Sequence, residues 1–239
     1  MKAWLRFFRA VNLPTVPGDA LAGAAAVMSA NGWTAGSLAP AAVCVAGVFL
    51  YMFGLADNDI IGAGKDSGRP IPQGEISLVA ARIARGLCLL GALIVGALAN
   101  LPPAWWVVAF LLAVSSVVYN RTKWCLAMGL CRGLNVLCGG LCFATRFRHM
   151  QGIPSEGRLE LGCLFVLWTA YITVVTKYSE GEESDALKKR RVGFLIGAIV
   201  YLQLAALLVF PVKPFLVAGA VLLVLLRLMR RFLPEVSAS

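Results

Sequence analysis

Apolar residues run through this chain in stretches close to the length that crosses a bilayer, and polar residues collect in the gaps between them. Eight such stretches stand out: 15–30, 38–56, 78–99, 104–119, 125–143, 159–177, 192–210 and 215–229. A segment in lipid must satisfy its backbone N–H and C=O groups internally, so each stretch is predicted to be a helix. The fold class expected is all-α, a multi-span transmembrane helical bundle of about eight spans around a central intramembrane cavity, one domain over 1–239. The connections are unequal. Residues 100–103 and 211–214 are tight turns with proline, whereas 57–77 and 178–191 are long and polar.

Composition sharpens this picture. The chain is 59% apolar and 14% charged, while a soluble domain carries about a quarter charged residues to face water. The net charge of +10 does not point to nucleic acid, because the basic residues sit in short clusters beside apolar stretches, the arrangement that anchors and orients membrane spans. With the N-terminus inside, 17 of the 22 basic residues fall on the inner side; Arg146, Arg148, Arg158 and Lys213 fall outside, and Arg132 lies within the fifth span. Both termini and both long loops are therefore expected in the cytoplasm, with the bacterial inner membrane as the expected location. The first twenty residues do not read as a signal peptide, since Arg6, Arg9, Asn12, Pro14 and Pro17 interrupt their apolar run. Seven cysteines without a CxxC pair, and a single histidine, His149, give no zinc or haem pattern.

The candidate chemistry lies in the two long inner loops, which hold eight of the twelve acidic residues. Asp59 and Asp66 are seven apart, so a helical extension of the second span would put them on one face. Asn58 adds a neutral oxygen. Such hard ligands suit Mg²⁺, which takes few carboxylates and shares its shell with substrate phosphates. Lys65 and Arg69 could bind the same phosphates, Arg as a fork and Lys as a point charge. The second loop repeats the order, with Glu180, Glu182 and Glu183 before Lys188, Lys189, Arg190 and Arg191. A solvated turn and a helix-end charge cluster are the structural alternatives for the two loops. Within the fifth span Arg132 and Asn135 are three apart on one face, and a charge at membrane depth faces a cavity or a partner. Arg9 and Asn12, at the inner start of the first span, either line the same cavity or anchor the span. Tyr171 and Tyr178 either line the path of a lipophilic ligand or anchor the interface.

Several of these motifs together resemble a known family. Asn58-Asp59, Asp66 and Arg69-Pro70-Ile71-Pro72-Gln73-Gly74 are similar to the first signature of the UbiA superfamily of intramembrane prenyltransferases. Arg9-x-x-Asn12-x-Pro14-Thr15 resembles that family's entry to its first helix, and Tyr119-Asn120-Arg121-Thr122-Lys123 its Y-x-x-x-K loop. Met128-Gly129-Leu130-Cys131-Arg132-Gly133-Leu134-Asn135 is similar to the EboC-type branch, and Glu180-Gly181-Glu182 falls where the second aspartate motif belongs. The chain departs from the pattern at Gly62, in place of the middle aspartate of the first motif, and at Tyr178 and Glu182 in the second. It has eight predicted spans against the family's usual nine.

The resemblance implies Mg²⁺-dependent transfer of an isoprenoid chain from a prenyl diphosphate to an aromatic or other lipophilic acceptor. It implies metal ligands Asn58, Asp59, Asp66, Glu180 and Glu182 and catalytic roles for Asp59, Asp66, Lys123 and Arg69. Substrate binding is expected at Asn12, Arg69, Lys123, Arg132, Asn135 and Lys188. The alternative is a UbiA-like protein without catalysis that binds or moves a hydrophobic metabolite, to which the missing carboxylates at Gly62 and Tyr178 would correspond.

Overall fold

The computed structural model describes residues 1–30, 38–64, 68–143, 155–180 and 186–232. Asp66 and Glu182, expected ligands, and His149 lie outside the described residues. A short helix α1 (Lys2–Phe7) and a 3₁₀ turn at Ala10–Asn12 lead into eight longer helices. These are α2 (Thr15–Ala30), α3 (Ala39–Ile61), α4 (Leu78–Leu98), α5 (Pro103–Thr122), α6 (Cys125–Leu141), α7 (Ser155–Ser179), α8 (Ala186–Val209) and α9 (Lys213–Phe232). No strand occurs among the described residues. Each helix covers one expected span.

The ends differ in an informative way. The second span continues to Ile61, so Asp57, Asn58 and Asp59 sit on a helix rather than in a loop. Likewise α8 starts at Ala186 and takes Lys188 to Arg191 into its first turns. Local chemistry explains several termini. Pro40 and Pro103 stand in the first turns of α3 and α5, where no intrahelical N–H is required. The Ser77 hydroxyl accepts the Ala80 N–H at the start of α4.

Five helices, those of 39–61, 78–98, 103–122, 156–179 and 190–209, are long and apolar enough to cross a membrane by themselves. Of the other three, α2 and α6 are short and α9 carries Arg227, Arg230 and Arg231 near its end. The short pair is the interior of the bundle. Nearly every α2 residue from Thr15 to Met28 is buried, and α2 packs against α3, α6, α7, α8 and α9. Its alanines and glycines allow this. A Cβ on Gly23 would lie 1.9 Å from the Val136 carbonyl oxygen, and one on Gly139 would lie 1.9 Å from that of Ala20. Only glycine lets the α2 and α6 backbones approach so closely.

The outer helices are apolar in the opposite direction. On α4 the buried positions are Ala81, Cys88, Ala92 and Gly96, while Val79, Ile83, Leu87, Leu90, Ile94 and Leu98 are exposed. Large exposed aliphatic side chains at three- and four-residue spacing form a face that water would not solvate, whereas lipid does. The bundle thus turns its small residues inward and its large ones toward the bilayer.

Candidate functional site

A cavity of about 820 Å³ opens between α2, α3, α5 and α6, with the end of α7 at its rim. Its walls include Val16, Leu50, Leu55, Leu112 and Met128, and its charged lining consists of Arg9, Arg69, Lys123, Arg132 and Glu180. Four cations face one carboxylate, and the rest of the lining mixes Asn58, Ser116, Asn120 and Asn135 with those apolar side chains. That combination accommodates an anionic head and a hydrocarbon tail.

The mouth is built at the C-terminal ends of α3, α5 and α7. Lys123 Nζ donates to Asn58 Oδ1 at 2.8 Å and stands 5.2 Å from the Tyr119 ring centre. Arg69 Nη1 donates to Asp59 Oδ1 at 2.7 Å, with Asp59 almost fully buried. Glu180 takes a hydrogen bond from Lys177 at 2.7 Å and one from Cys125 Sγ at 3.2 Å. The Lys177 ammonium holds the Glu180 carboxyl below its usual value, with the Cys125 thiol assisting. Two of these cations sit on strained backbone. Arg9 (φ 43°) and Lys123 (φ 56°) are in the left-handed region, which costs an L-residue roughly 1–2 kcal/mol. Such strain persists where surrounding contacts over-determine it, commonly at functional sites.

Beneath the mouth, Asp57 is buried between Arg85 Nη1 (2.8 Å) and Asn120 Nδ2 (3.0 Å), which also donates to the Gly54 carbonyl. Deeper still lies a fully buried carboxylate, Asp19 on α2. It forms an ion pair with Arg132 Nε at 2.9 Å and accepts hydrogen bonds from Trp168 Nε1 at 2.8 Å and Gln203 Nε2 at 2.6 Å. Arg132 and Gln203 also donate to the Thr15 carbonyl, and Asn135 Nδ2 donates to that of Val16. One α2 carboxylate thus ties α6, α7 and α8 together.

Of the residues expected from sequence, Asn58, Arg69, Lys123, Arg132, Asn135 and Glu180 line the cavity. Asp59 stands behind Arg69 and is not among the lining residues. Asn12 does not line it either; its carbonyl accepts the Thr15 hydroxyl, and Arg9 is the residue of that turn which faces the cavity. Lys188 lies behind Glu180, bonded to its backbone carbonyl, with its ammonium 5.5 Å from the Tyr178 ring centre. Tyr171 donates its hydroxyl to the Leu195 carbonyl away from the cavity. Sequence reasoning missed Asp19, Asn120, Trp168 and Gln203. An acid in an alanine-rich span was the available signal for Asp19, since a charge at membrane depth needs a partner.

The described oxygen donors do not fit Mg²⁺ as they stand. Asn58 Oδ1 is taken by Lys123, Asp59 Oδ1 by Arg69 and Glu180 Oε2 by Lys177. No three acidic, histidine or cysteine side chains among the described residues converge as metal ligands. Gly62 adds to this. A Cβ there would come within 3.3 Å of Arg69 Nη1, so the guanidinium occupies the flank of the position where the motif's middle carboxylate would stand.

No family model matches the chain, and no curated protein matches it in sequence. Two solved structures share its fold. A digeranylgeranylglyceryl phosphate synthase in membranes aligns over 100% of this chain and 98% of its own, with a TM-score of 0.58 and 15% identity. A UbiA homologue from Archaeoglobus fulgidus, bound to GPP and Mg²⁺, aligns over 98% of this chain and 88% of its own, with a TM-score of 0.59 and 15% identity. The chain has the multi-span helical fold of these two proteins.

Proposed function

We propose that this protein transfers an isoprenoid chain from a prenyl diphosphate to a lipophilic acceptor within the membrane. The observation that carries the reading is one cavity in which Arg9, Arg69, Lys123 and Arg132 stand in the same lining as Leu50, Leu55, Leu112 and Met128. The fold shared with a homologue bound to GPP and Mg²⁺ supports it.

In this reading the diphosphate sits at the mouth. Arg69 grips its oxygens as a fork and Lys123 as a point charge, while Asp59 fixes the Arg69 guanidinium in place. The bond between the allylic carbon and the diphosphate oxygen breaks, and its electron pair stays with the leaving diphosphate. Arg69, Lys123 and Arg9 offset the charge that develops there. The acceptor's electron pair then forms the new bond to the allylic carbon, and the acceptor loses a proton. The apolar wall keeps water from competing. The positive excess at this end of the helices supports a mouth on the cytoplasmic side. Cysteines introduced singly at Ser67 and Gln151, in a chain whose exposed cysteines are serines, test this. Ser67→Cys should label from the cytoplasm and Gln151→Cys from the opposite side, and the reverse pattern would invert the orientation.

The primary test is equilibrium binding of geranylgeranyl diphosphate to the purified protein, with Mg²⁺ and with chelator, for the native chain, Asp59→Ala and Arg69→Gln. Loss of charge-assisted bonds from Arg69 should weaken binding by about tenfold to a hundredfold. The Mg²⁺ and chelator arms read the metal dependence directly. Binding that is indifferent to metal, Asp59 and Arg69 alike would sink the transfer reading and leave the non-catalytic carrier.

A further inference from the structure

In the deep part of the cavity, among the described lining residues, one buried polar atom has neither a hydrogen bond nor an ion pair. Asn135 is 3% exposed. Its amide nitrogen donates to the Val16 carbonyl at 2.9 Å and approaches Asp19 Oδ2 at 3.4 Å. Both neighbours are acceptors, so the amide must turn its nitrogen to them and its oxygen the other way. That oxygen, Oδ1, makes no hydrogen bond. It faces Gly47 of α3, where a Cβ would stand only 2.8 Å away, and both residues line the cavity. Glycine at 47 thus puts no side chain against this buried acceptor, which any Cβ there would crowd.

The charges around it limit what belongs there. Asp19 is balanced by Arg132, so the deep end offers no net charge to an ion. An anionic group would meet the Asn135 oxygen as acceptor against acceptor. An isoprenoid tail carries no donor and would leave the oxygen unpaired. The diphosphate belongs to the level of Asn58, eleven residues farther along α3 from Gly47, roughly 16 Å at the helical rise. What fits is a neutral O–H or N–H group at the far end of a lipophilic molecule.

We propose that Asn135 Oδ1 is the recognition point for an uncharged hydroxyl or N–H group of the lipophilic acceptor. This rests on the transfer reading above and narrows its acceptor class. The group recognised is distinct from the reacting atom, which must lie near the allylic carbon at the mouth. Asn135 selects the acceptor and Gly47 admits it.

The probes are para-octylphenol and its methyl ether, para-octylanisole, which differ at one oxygen by the presence of a donor. Their affinities are measured for the purified protein in lipid nanodiscs. The phenol should bind the native chain about tenfold more tightly than the ether, the discrimination expected when a buried acceptor is paired or left unpaired. Gly47→Ala, which fills the space before Oδ1, and Asn135→Leu should each reduce that ratio to below about twofold, with melting temperature and helical circular dichroism confirming a folded bundle. Equal affinities in the native chain, including no saturable binding of either probe, would overturn the proposal. So would a preference that survives in Gly47→Ala, because the donor would then be recognised elsewhere. Geranylgeranyl diphosphate binding to the native chain is measured alongside. If it fails while the phenol preference holds, the transfer reading falls and the deep donor site stands; the opposite result rejects only the deep site.

Discussion

Two ion pairs, Arg69–Asp59 at the mouth and Arg132–Asp19 in the depth, have similar separations, 2.7 and 2.9 Å, and opposite settings. The arginine of the first pair is about a quarter exposed, and its cavity-facing side is open to a ligand. In the second pair the carboxylate is fully buried and bonded by Trp168 and Gln203 as well, from two further helices. In the proposed function the mouth exchanges one partner for another. The hub spends its donors on holding helices together. Polar residues inside a membrane bundle therefore do not all mark chemistry, and exposure of the cation separates the two kinds.

The comparison breaks first at Asp19. Asp19→Ala strands the Arg132 guanidinium in the bundle and removes acceptors from Trp168 and Gln203. Breaking a buried pair on one side costs about 3–5 kcal/mol. Thermal unfolding in detergent should show a large drop in melting temperature or no folded protein. If Asp19→Ala unfolds like the native chain, the hub is not structural, and the contrast with the mouth fails. A smaller effect of the same kind is expected at Gly139→Ala. Its methyl group would press on the Ala20 carbonyl and move α2 away from α6, with overpacking worth about 1–3 kcal/mol. Unchanged stability there would mean that the helices separate without loosening the hub.

At the mouth the sign should reverse. Lys123 holds a left-handed conformation at the end of α5, where glycine is the preferred residue. Lys123→Gly relieves that strain and should stabilise the fold by up to about 1 kcal/mol. It also removes a cation from the cavity, so geranylgeranyl diphosphate should bind about tenfold more weakly. A variant that is both more stable and a poorer binder would identify the mouth as strained for function. Loss of stability with binding intact would make Lys123 a structural cap.

The two regions were not equally legible in the sequence. The mouth was visible because its polar residues interrupt apolar runs: Asn58, Asp59, Arg69, Lys123 and Glu180 all stand at span ends, where charge is conspicuous. The eight helices were legible for the same reason, from run length. Arg132 and Asn135 were found by their spacing within a span. Their partners were not, because Asp19, Trp168 and Gln203 come from three other helices, Trp168 and Gln203 lying 149 and 184 residues from Asp19, and no local periodicity records such a meeting. Nor could spacing decide between Asn12 and Arg9. That choice was made by the 3₁₀ turn and the left-handed Arg9, features of backbone geometry rather than of residue type.

The smallest effect should come from Glu180, the exposed counterpart of the two buried acids. Its side chain is more than half exposed, and its pair with Lys177 spans three residues on the surface, where screening leaves such pairs little net value. Glu180→Gln should therefore leave the melting temperature at neutral pH almost unchanged, in contrast with Asp19→Ala. The pH dependence gives its sign. Lys177 holds the Glu180 carboxyl below its ordinary value of 4.5 in the folded protein. Whatever stability the pair contributes is fully present above 4.5 and is lost as pH falls through the lower, folded value. A melting-temperature gap between native protein and Glu180→Gln should accordingly be small at pH 7 and vanish in acid. A gap that widened in acid would require the carboxyl to titrate above its ordinary value. Glu180 would then be acting as a buried acid, and the division between an open mouth and a closed hub would have to be redrawn through α7.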